Sequence, residues 1–170
     1  MSQPQPASTS ATAGQIVVGI SDFKTTGDAR AMLVTHSLGS CIGVAAHCPA
    51  RKISGLLHFQ LPEAAMDASR AQNEPAMFAD TGLDALIQAM QRRGADTKRL
   101  QIRLAGGAKM LSTSTFDIGK RNHLAIRKAL WKHGLFVAAE NCGGSSARTL
   151  YMRCSDGAVR LRMDGKVVAL

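Results

Sequence analysis

Aromatic residues are scarce in this sequence, and long apolar runs and paired cysteines are absent from it. Aromatic side chains make up only 4% of the 170 residues, and no docking motif of a nucleic-acid binder is present. No stretch has the continuous apolar length that a membrane span requires. The four cysteines form no CxxC pair, and the N-terminus has no signal-peptide pattern. We therefore expect a cytoplasmic protein with free thiols, no membrane insertion and no nucleic-acid partner.

Positive charge is concentrated in one part of the chain. The formal net charge is +9, and residues 91–132 hold eleven lysines and arginines against two aspartates, so this segment accounts for the whole excess. A solvated basic face is the simplest interpretation. A second interpretation is a surface that attracts an acidic protein partner through long-range electrostatics. A basic nucleic-acid binder is the alternative that a steep salt dependence of binding would reveal.

The composition is that of an ordinary globular protein, with 45% hydrophobic and 19% charged residues. Residues 1–14 have no large apolar side chain after Met1, which predicts a flexible tail. The remaining residues, 15–170, are enough to bury a hydrophobic core without a metal or disulfide, and we interpret them as a single domain that needs no cofactor for stability.

Short apolar runs separated by turns predict many strands, and two periodic segments predict helices. Two Asp-Gly pairs near the C-terminus indicate a three-stranded meander. The fold class is therefore α+β, with packed β-sheets flanked by helices. The predicted strands are QIVVGI (15–20), RAMLVT (30–35), CIGVAA (41–46), ISGLLHF (53–59), 100–108 and 135–140, and the predicted helices are 74–90 and about 118–133.

The first candidate chemistry is a thiol and an imidazole on neighbouring strands. Cys41 opens one apolar run and His58 closes the next, so antiparallel pairing of the two strands would bring them together. A histidine that takes the thiol proton makes cysteine a nucleophile. Thr35 could orient the imidazole, and small residues at Gly39 and Ser40 would let backbone N–H groups reach an oxyanion. Buried filler cysteine, a satisfied core histidine and an ordinary turn are the alternatives.

A zinc site is the competing chemistry, because five zinc-ligand types crowd into 23 residues: His36, Cys41, His47, Cys48 and His58. Their spacings match no structural zinc pattern, and strand alternation sends His47 and Cys48 to opposite faces. We therefore expect no metal. AGGAKM (105–110) lacks the spacing of a phosphate loop, which favours a tight turn near a site, and Cys142 is interpreted as a packing residue.

Six sequence blocks occur in the order typical of the chemoreceptor glutamine deamidase family, CheD, which this sequence resembles. The resemblance covers the chain from about residue 15 to 155, and the six blocks together are far more specific than any one of them. The blocks are TxxLGSC (35–41), GLLHFQLP (55–62), FADTG (78–82), AGGAKM (105–110), IGKRN (118–122) and CGGSSAR (142–148).

The resemblance implies a fold similar to the catalytic domain of cytotoxic necrotizing factor toxins. It also implies a nucleophile at Cys41, a base at His58 and a third triad member at Thr35. The expected activity is hydrolysis of glutamine side-chain amides on the cytoplasmic helices of chemotaxis receptors, through a cysteine thioester, as part of chemotaxis adaptation. These helices tend to be acidic, so the basic segment is a candidate docking surface, with Lys120, Arg121, Arg127 and Lys128 as its residues. A CheC-type phosphatase is a further expected partner, and the alternative function is a non-catalytic module that regulates such a phosphatase.

Overall fold

The structure is a computed structural model that describes residues 14–111 and 115–170. Most of the tail predicted over residues 1–14 lies outside these ranges. In chain order, the elements of the described residues are β1 (Gln15–Val17), β2 (Asp22–Thr26), β3 (Met32–Leu38), β4 (Ile42–Cys48), β5 (Ile53–Phe59), α1 (Ala68–Asn73), α2 (Ala79–Arg92), β6 (Gln101–Gly106), α3 (Ile118–Lys132), β7 (Val137–Cys142), β8 (Arg148–Arg153), β9 (Val159–Met163) and β10 (Lys166–Ala169).

The strands form two sheets of five. The first sheet has the order β1-β3-β8-β9-β10, and the second has the order β2-β5-β4-β6-β7. Two edge pairs, β1 with β3 and β6 with β7, are parallel, and the other pairs are antiparallel. Two mixed sheets accompanied by a few helices confirm the predicted α+β class.

The central strands β4 and β5 are buried on both faces. One face packs on the helices and carries only apolar side chains from β4: Ile42, Val44, Ala46 and Cys48. The other face, which we call the inter-sheet face, packs against the first sheet, where Ala45 and Leu56 contact the core around Leu33 and Leu150. This double burial explains why both strands read as continuous apolar runs in the sequence.

Strand β4, which follows Cys41, pairs antiparallel with β5, which contains His58, as predicted. In the register of β4 and β5, Gly43 lies opposite His58 and Ile42 lies opposite Phe59. A Cβ at position 43 would lie 3.0 Å from a Leu38 methyl and 3.5 Å from Cγ2 of Thr35, so any side chain there would require Leu38 to shift. The first sheet therefore presses closely on this part of β4.

The helix predicted from Glu74 begins later, at Ala79. Pro75–Met77 forms a 3-10 turn and Phe78 is extended, with φ −114° and ψ 147°. The backbone here bonds to the chain after β5, where the Met77 carbonyl accepts from the N–H of Leu61 and the Leu61 carbonyl accepts from the N–H of Ala79. These tertiary hydrogen bonds override the helical periodicity. None of the helices in the described ranges is long and apolar enough to cross a membrane.

The C-terminal meander is confirmed, since β8, β9 and β10 pair in sequence. Asp164 and Gly165 both have positive φ, 51° and 73°, as the two-residue turn predicted from Asp-Gly requires. Strand β2 and the short helix α1 were not predicted. The sequence DFKTT of β2 is polar because β2 is an edge strand that pairs only with β5.

Helix α3 runs from one end of the second sheet along its outer face. The Asp117 carboxylate caps it by accepting from the N–H of Lys120. Gly119 lies against the turn that follows β6, where a Cβ would come within 2.4 Å of the Gly107 carbonyl oxygen. The glycine allows the first turn of α3 to lie directly on that turn, which fixes the depth of the helix.

Candidate functional site

Thr35 and His58 meet across the space between the two sheets. Oγ1 of Thr35 on β3 lies 2.8 Å from Nδ1 of His58 on β5, and 2.8 Å from the carbonyl oxygen of Val18. Both side chains are buried, with 0% and 1% of their surface exposed. A carbonyl only accepts, so the single hydroxyl proton of Thr35 goes to Val18. Nδ1 of His58 must then carry the proton and donate it to Thr35.

This network leaves Nε2 of His58 as the unprotonated nitrogen of the ring. Nε2 is buried and has no hydrogen-bond partner among the described residues. Burial without a charged neighbour lowers the pKa of His58 to about 4, so the imidazole is neutral at physiological pH. A buried, neutral ring with a fixed tautomer and a free lone pair is suited to accept a proton.

Cys41 immediately precedes β4, on the same face of the sheet as His58. Because His58 lies opposite Gly43, Cys41 is its diagonal neighbour across the strand pair, a separation that a long side chain bridges. The thiol is half-buried, in contact with the inter-sheet core. Burial raises the pKa of Cys41, an effect that its own backbone N–H partly offsets. Within the described ranges, no hydrogen bond joins its sulfur to His58.

The backbone around Cys41 is held by the AGGA turn after β6. The Cys41 carbonyl accepts from the N–H of Gly107 at 2.9 Å, and the Gly39 carbonyl accepts from the N–H of Ala108 at 2.8 Å. Gly106 has φ +120°, and a Cβ there would lie 2.1 Å from the Cys41 carbonyl oxygen. The turn predicted at AGGAKM therefore supports the backbone segment that contains Gly39 and Cys41, and glycine is required at position 106.

Gly39 and Ser40 lie in the bend before Cys41, as predicted. Across residues 14–111 and 115–170, no backbone carbonyl accepts from the N–H of Ser40 or of Cys41. Met110 covers Gly39, since a Cβ at Gly39 would be 3.1 Å from the Met110 side chain. A shallow cleft of about 160 Å³ borders Ser40, and its lining includes the exposed side chains Met110, Leu111 and Phe116.

Two residues that sequence reasoning did not assign support the same loops. The Asn122 amide on α3 donates to the carbonyls of Ser40 and Gln60, at 3.0 and 2.8 Å. The buried Arg148 guanidinium donates to the carbonyls of Gly106, at 2.7 Å, and Gly143. Both residues lie in blocks that the family resemblance had singled out, IGKRN and CGGSSAR, so that resemblance was the available signal.

A cluster of metal-ligand types is present at a different place from the one considered in the sequence. Ligand atoms of His123, Glu140 and Cys142 lie within 4.8 Å of one another. Glu140 already accepts from His123 and from Arg127, both at 2.8 Å. Partial burial, with the Glu140 charge as a smaller contribution, raises the pKa of the half-buried Cys142 thiol to about 12. His47 and Cys48 lie on opposite faces of β4, as predicted.

The four predicted docking residues lie on α3 and are exposed. Arg127 pairs with Glu140 at 2.8 Å, and Lys128 lies 3.8 Å from Glu63. Arg121 stacks over the Phe116 ring at 4.7 Å. The N-terminal pair, Lys120 and Arg121, is near the cleft at Ser40, since α3 begins beside that cleft. The basic segment is not one surface, because Arg103 is half-buried and donates to the Gly157 carbonyl.

Comparison with known proteins gives one consistent result. The family model described as CheD chemotactic sensory transduction matches residues 60–163. A probable chemoreceptor glutamine deamidase CheD of Solibacter usitatus is 42% identical over 153 residues, covering 89% of this chain and 90% of that relative. Relatives of the same name from Syntrophus aciditrophicus, numbered CheD 1, and from Thermococcus kodakarensis are 39% and 38% identical, covering 89% and 91% of this chain and 96% and 97% of their own lengths. The chain belongs to the CheD family.

Proposed function

We propose that this protein hydrolyses the side-chain amides of specific glutamines in chemotaxis receptors, giving glutamate and ammonia. Relatives that match nearly the whole chain are named probable chemoreceptor glutamine deamidases. The reaction needs a nucleophile for the amide carbon, a proton acceptor that later protonates ammonia, and donors for the developing oxyanion. Three features support the proposal: the thiol of Cys41 before β4, the imidazole of His58 on the neighbouring strand β5, and the N–H groups of Ser40 and Cys41.

The observation that carries this proposal is the Val18–Thr35–His58 hydrogen-bond chain. It favours the tautomer of His58 with the proton on Nδ1 and the lone pair on Nε2. A lowered pKa keeps that lone pair available well below neutral pH. In this assignment, Cys41 is the nucleophile, His58 is the base and Thr35 orients the base.

The proposed reaction begins with a neutral thiol and a neutral imidazole. Sγ of Cys41 attacks the amide carbon while its proton passes to Nε2 of His58. The C–N bond then breaks, His58 returns the proton to the leaving nitrogen, and ammonia departs from a γ-glutamyl thioester. Water, deprotonated by His58, attacks the thioester carbon; the C–S bond breaks and the thiol is restored.

The N–H groups of Ser40 and Cys41 are the proposed oxyanion donors. No carbonyl of the described residues accepts from either group, so both are available to a substrate oxygen. Gly39 carries no side chain, so a substrate could approach its backbone closely once the Met110 side chain that covers it moves aside. The AGGA turn contributes by holding the Cys41 and Gly39 carbonyls, which fixes the direction in which these N–H groups point.

The proposed substrate surface is the acidic cytoplasmic helices of receptors. Lys120 and Arg121 lie nearest to the cleft at Ser40, and Arg127 and Lys128 follow on α3. A CheC-type phosphatase is a further proposed partner for the same surface. The alternative function, a binding module for such a phosphatase, predicts binding without turnover.

Intact-mass measurement of a receptor cytoplasmic fragment, incubated with the protein while ammonia is assayed, tests this function. We expect the mass change of an amide-to-acid conversion with matching ammonia, and neither of them with Cys41→Ala. Absence of both changes with every receptor of the same organism would overturn the deamidase proposal. Stoichiometric binding of a CheC-type phosphatase in that case would support the binding-module alternative.

A further inference from the structure

Asn122 is the polar side chain that joins the two segments of the candidate site. It lies in the second turn of α3 and is fully buried, with 0% of its surface exposed. Nδ2 donates to the carbonyl of Ser40, the residue before Cys41, at 3.0 Å. It also donates to the carbonyl of Gln60, two residues after His58, at 2.8 Å.

The two acceptors fix the orientation of the amide. A side-chain NH₂ has two protons, and two backbone carbonyls accept them. The reversed orientation would place Oδ1 against both carbonyl oxygens, which repel it. Oδ1 of Asn122 is itself buried and has no partner among the described residues. The unpaired acceptor offsets part of the stability that the two donated hydrogen bonds contribute.

The position of Asn122 is set by the turn that holds Cys41. Gly119 lies against the Gly107 carbonyl, which fixes the height of α3, and Asn122 follows three residues later on the same helical face. Gly107 in turn donates to the Cys41 carbonyl. Helix α3 therefore contacts the segment around Cys41 in two ways, through the AGGA turn and through Asn122. The hydrogen bond from Asn122 to the Gln60 carbonyl connects the same helix to the chain that follows β5.

We propose that Asn122 is a positioning residue that sets the distance between the thiol of Cys41 and Nε2 of His58. This inference rests on the proposed function, because it assumes that these two groups react together. Asn122 touches neither reacting atom; it acts through the backbone at Ser40 and Gln60. A displacement of about 1 Å between a nucleophile and its base is enough to lower a rate about 100-fold.

The matched variants are Asn122→Asp and Asn122→Ala, with Asn141→Asp as the control. Asn122→Asp keeps the shape but replaces the donor by a carboxylate that repels both carbonyls. Asn141 lies on β7, opposite Ala105 in the β6–β7 register, so its change introduces the same charge in the same sheet without removing the hydrogen bonds to Ser40 and Gln60. Deamidation kinetics give kcat and KM, and the rate of Cys41 alkylation by iodoacetamide, read by intact mass and peptide mapping, needs no substrate.

For Asn122→Asp we expect kcat to fall about 10- to 100-fold with KM nearly unchanged. We also expect the rate of Cys41 alkylation to lose its dependence on the protonation of His58, which changes the pH profile of that rate. Activity relative to the native protein should rise as pH falls towards 5, because a protonated carboxyl can again donate one hydrogen bond. Asn122→Ala should show the same loss without the rise at low pH, and Asn141→Asp should show neither.

An unchanged alkylation profile in both folded Asn122 variants would overturn this inference. So would a loss of reactivity that matches only the unfolded fraction measured by circular dichroism, including the case in which neither variant folds. If the native protein deamidates no receptor fragment, the proposed function fails, and the alkylation profiles still decide whether Asn122 positions Cys41 against His58.

Discussion

Two buried histidines face the same inter-sheet space, one at each end of the β4–β5 pair, and both contact a hydroxyl. Nδ1 of His58 lies 2.8 Å from Oγ1 of Thr35, and Nδ1 of His47 lies 2.9 Å from Oγ of Ser54. Each also has a cysteine in its neighbourhood, Cys41 for the first and Cys154 for the second. By residue type, the two ends of the strand pair are nearly equivalent.

The two ends differ in access and in what fixes the hydroxyl. Cys154 is fully buried, and its thiol contacts the carbonyl of Met152. Burial raises its pKa, with the Ser54 hydroxyl beside it as a partial offset. Cys41 is half-exposed at a bend where the N–H groups of Ser40 and Cys41 donate to no backbone carbonyl of the described chain.

The Thr35 hydroxyl is held by the Val18 carbonyl, whereas Ser54 lies between a histidine and a thiol. A cysteine, a histidine and a hydroxyl are therefore not enough to define this chemistry. Exposure of the thiol and a fixed tautomer of the imidazole distinguish the Cys41 end of the strand pair from the Cys154 end.

The cysteines should differ most. Cys41→Ala removes the proposed nucleophile, so we expect receptor deamidation to be abolished. Cys154→Ala should leave turnover within about threefold of the native rate and lower the free energy of unfolding by about 1 kcal/mol, because it removes a buried sulfur. Ammonia release and urea unfolding of both variants measure the two effects. Equal loss of turnover in both would contradict the assignment of Cys41.

The histidines come next. His58→Ala should lower kcat about 10²- to 10⁴-fold, the contribution typical of a general base. His47→Ala should affect the free energy of unfolding more than kcat, since its ring fills the space covered by Gly157. Steady-state kinetics on folded samples measure both variants. A larger loss of kcat in His47→Ala than in His58→Ala would indicate that His47, and not His58, is the general base.

The hydroxyls should show a smaller difference. Thr35→Val keeps the shape but removes the group that bonds Nδ1 of His58, and we expect kcat to fall about 10- to 100-fold. Thr35→Ser, which keeps the hydroxyl, serves as the matched control and should retain most activity. Ser54→Ala should change kcat little. Activity in Thr35→Val equal to that of Thr35→Ser would show that the hydroxyl does not orient the base.

The charged surface of α3 lies beside the end that holds Cys41. Reversing Lys120 and Arg121 to glutamate should lower kcat/KM for an acidic receptor fragment about 10-fold at low salt and less at high salt, because screening weakens long-range attraction. Reversing Lys98 and Arg99, at the opposite end of β6, is the control with the same charge change. An equal effect of the two double variants would assign the attraction to net charge alone.

The pH dependence of stability should reflect the burial of His58 in a defined direction. Its pKa is about 4 in the folded protein, below the ordinary value of 6.5. The unfolded chain therefore binds the proton first, and stability is complete above about pH 6.5 and falls as pH decreases towards 4, by about 3 kcal/mol in full. His58→Gln should remove this loss in urea unfolding at pH 7 and 4.5, whereas removing the exposed His36 should not.

The sequence predicted the parts of the fold that local pattern controls. The β4–β5 pairing, helix α3 and the Asp-Gly turns follow from apolar runs, periodicity and turn chemistry. The polar edge strand β2 and the extended Phe78 were missed, because pairing with distant backbone decides them. The resemblance singled out Cys41, His58 and Thr35, but the roles of Val18 and Asn122 depend on backbone carbonyls, which no residue pattern reveals.

The half-exposed thiol at Cys41, and not the buried Cys154, is the group proposed to form a covalent intermediate with the receptor glutamine. Acid quenching during turnover, followed by intact-mass and peptide mapping of the protein, measures this directly. We predict a γ-glutamyl adduct on the peptide that contains Cys41, which accumulates in the native protein and is absent from Cys41→Ala. An adduct on Cys154, or steady deamidation by Cys41→Ala, would contradict the account.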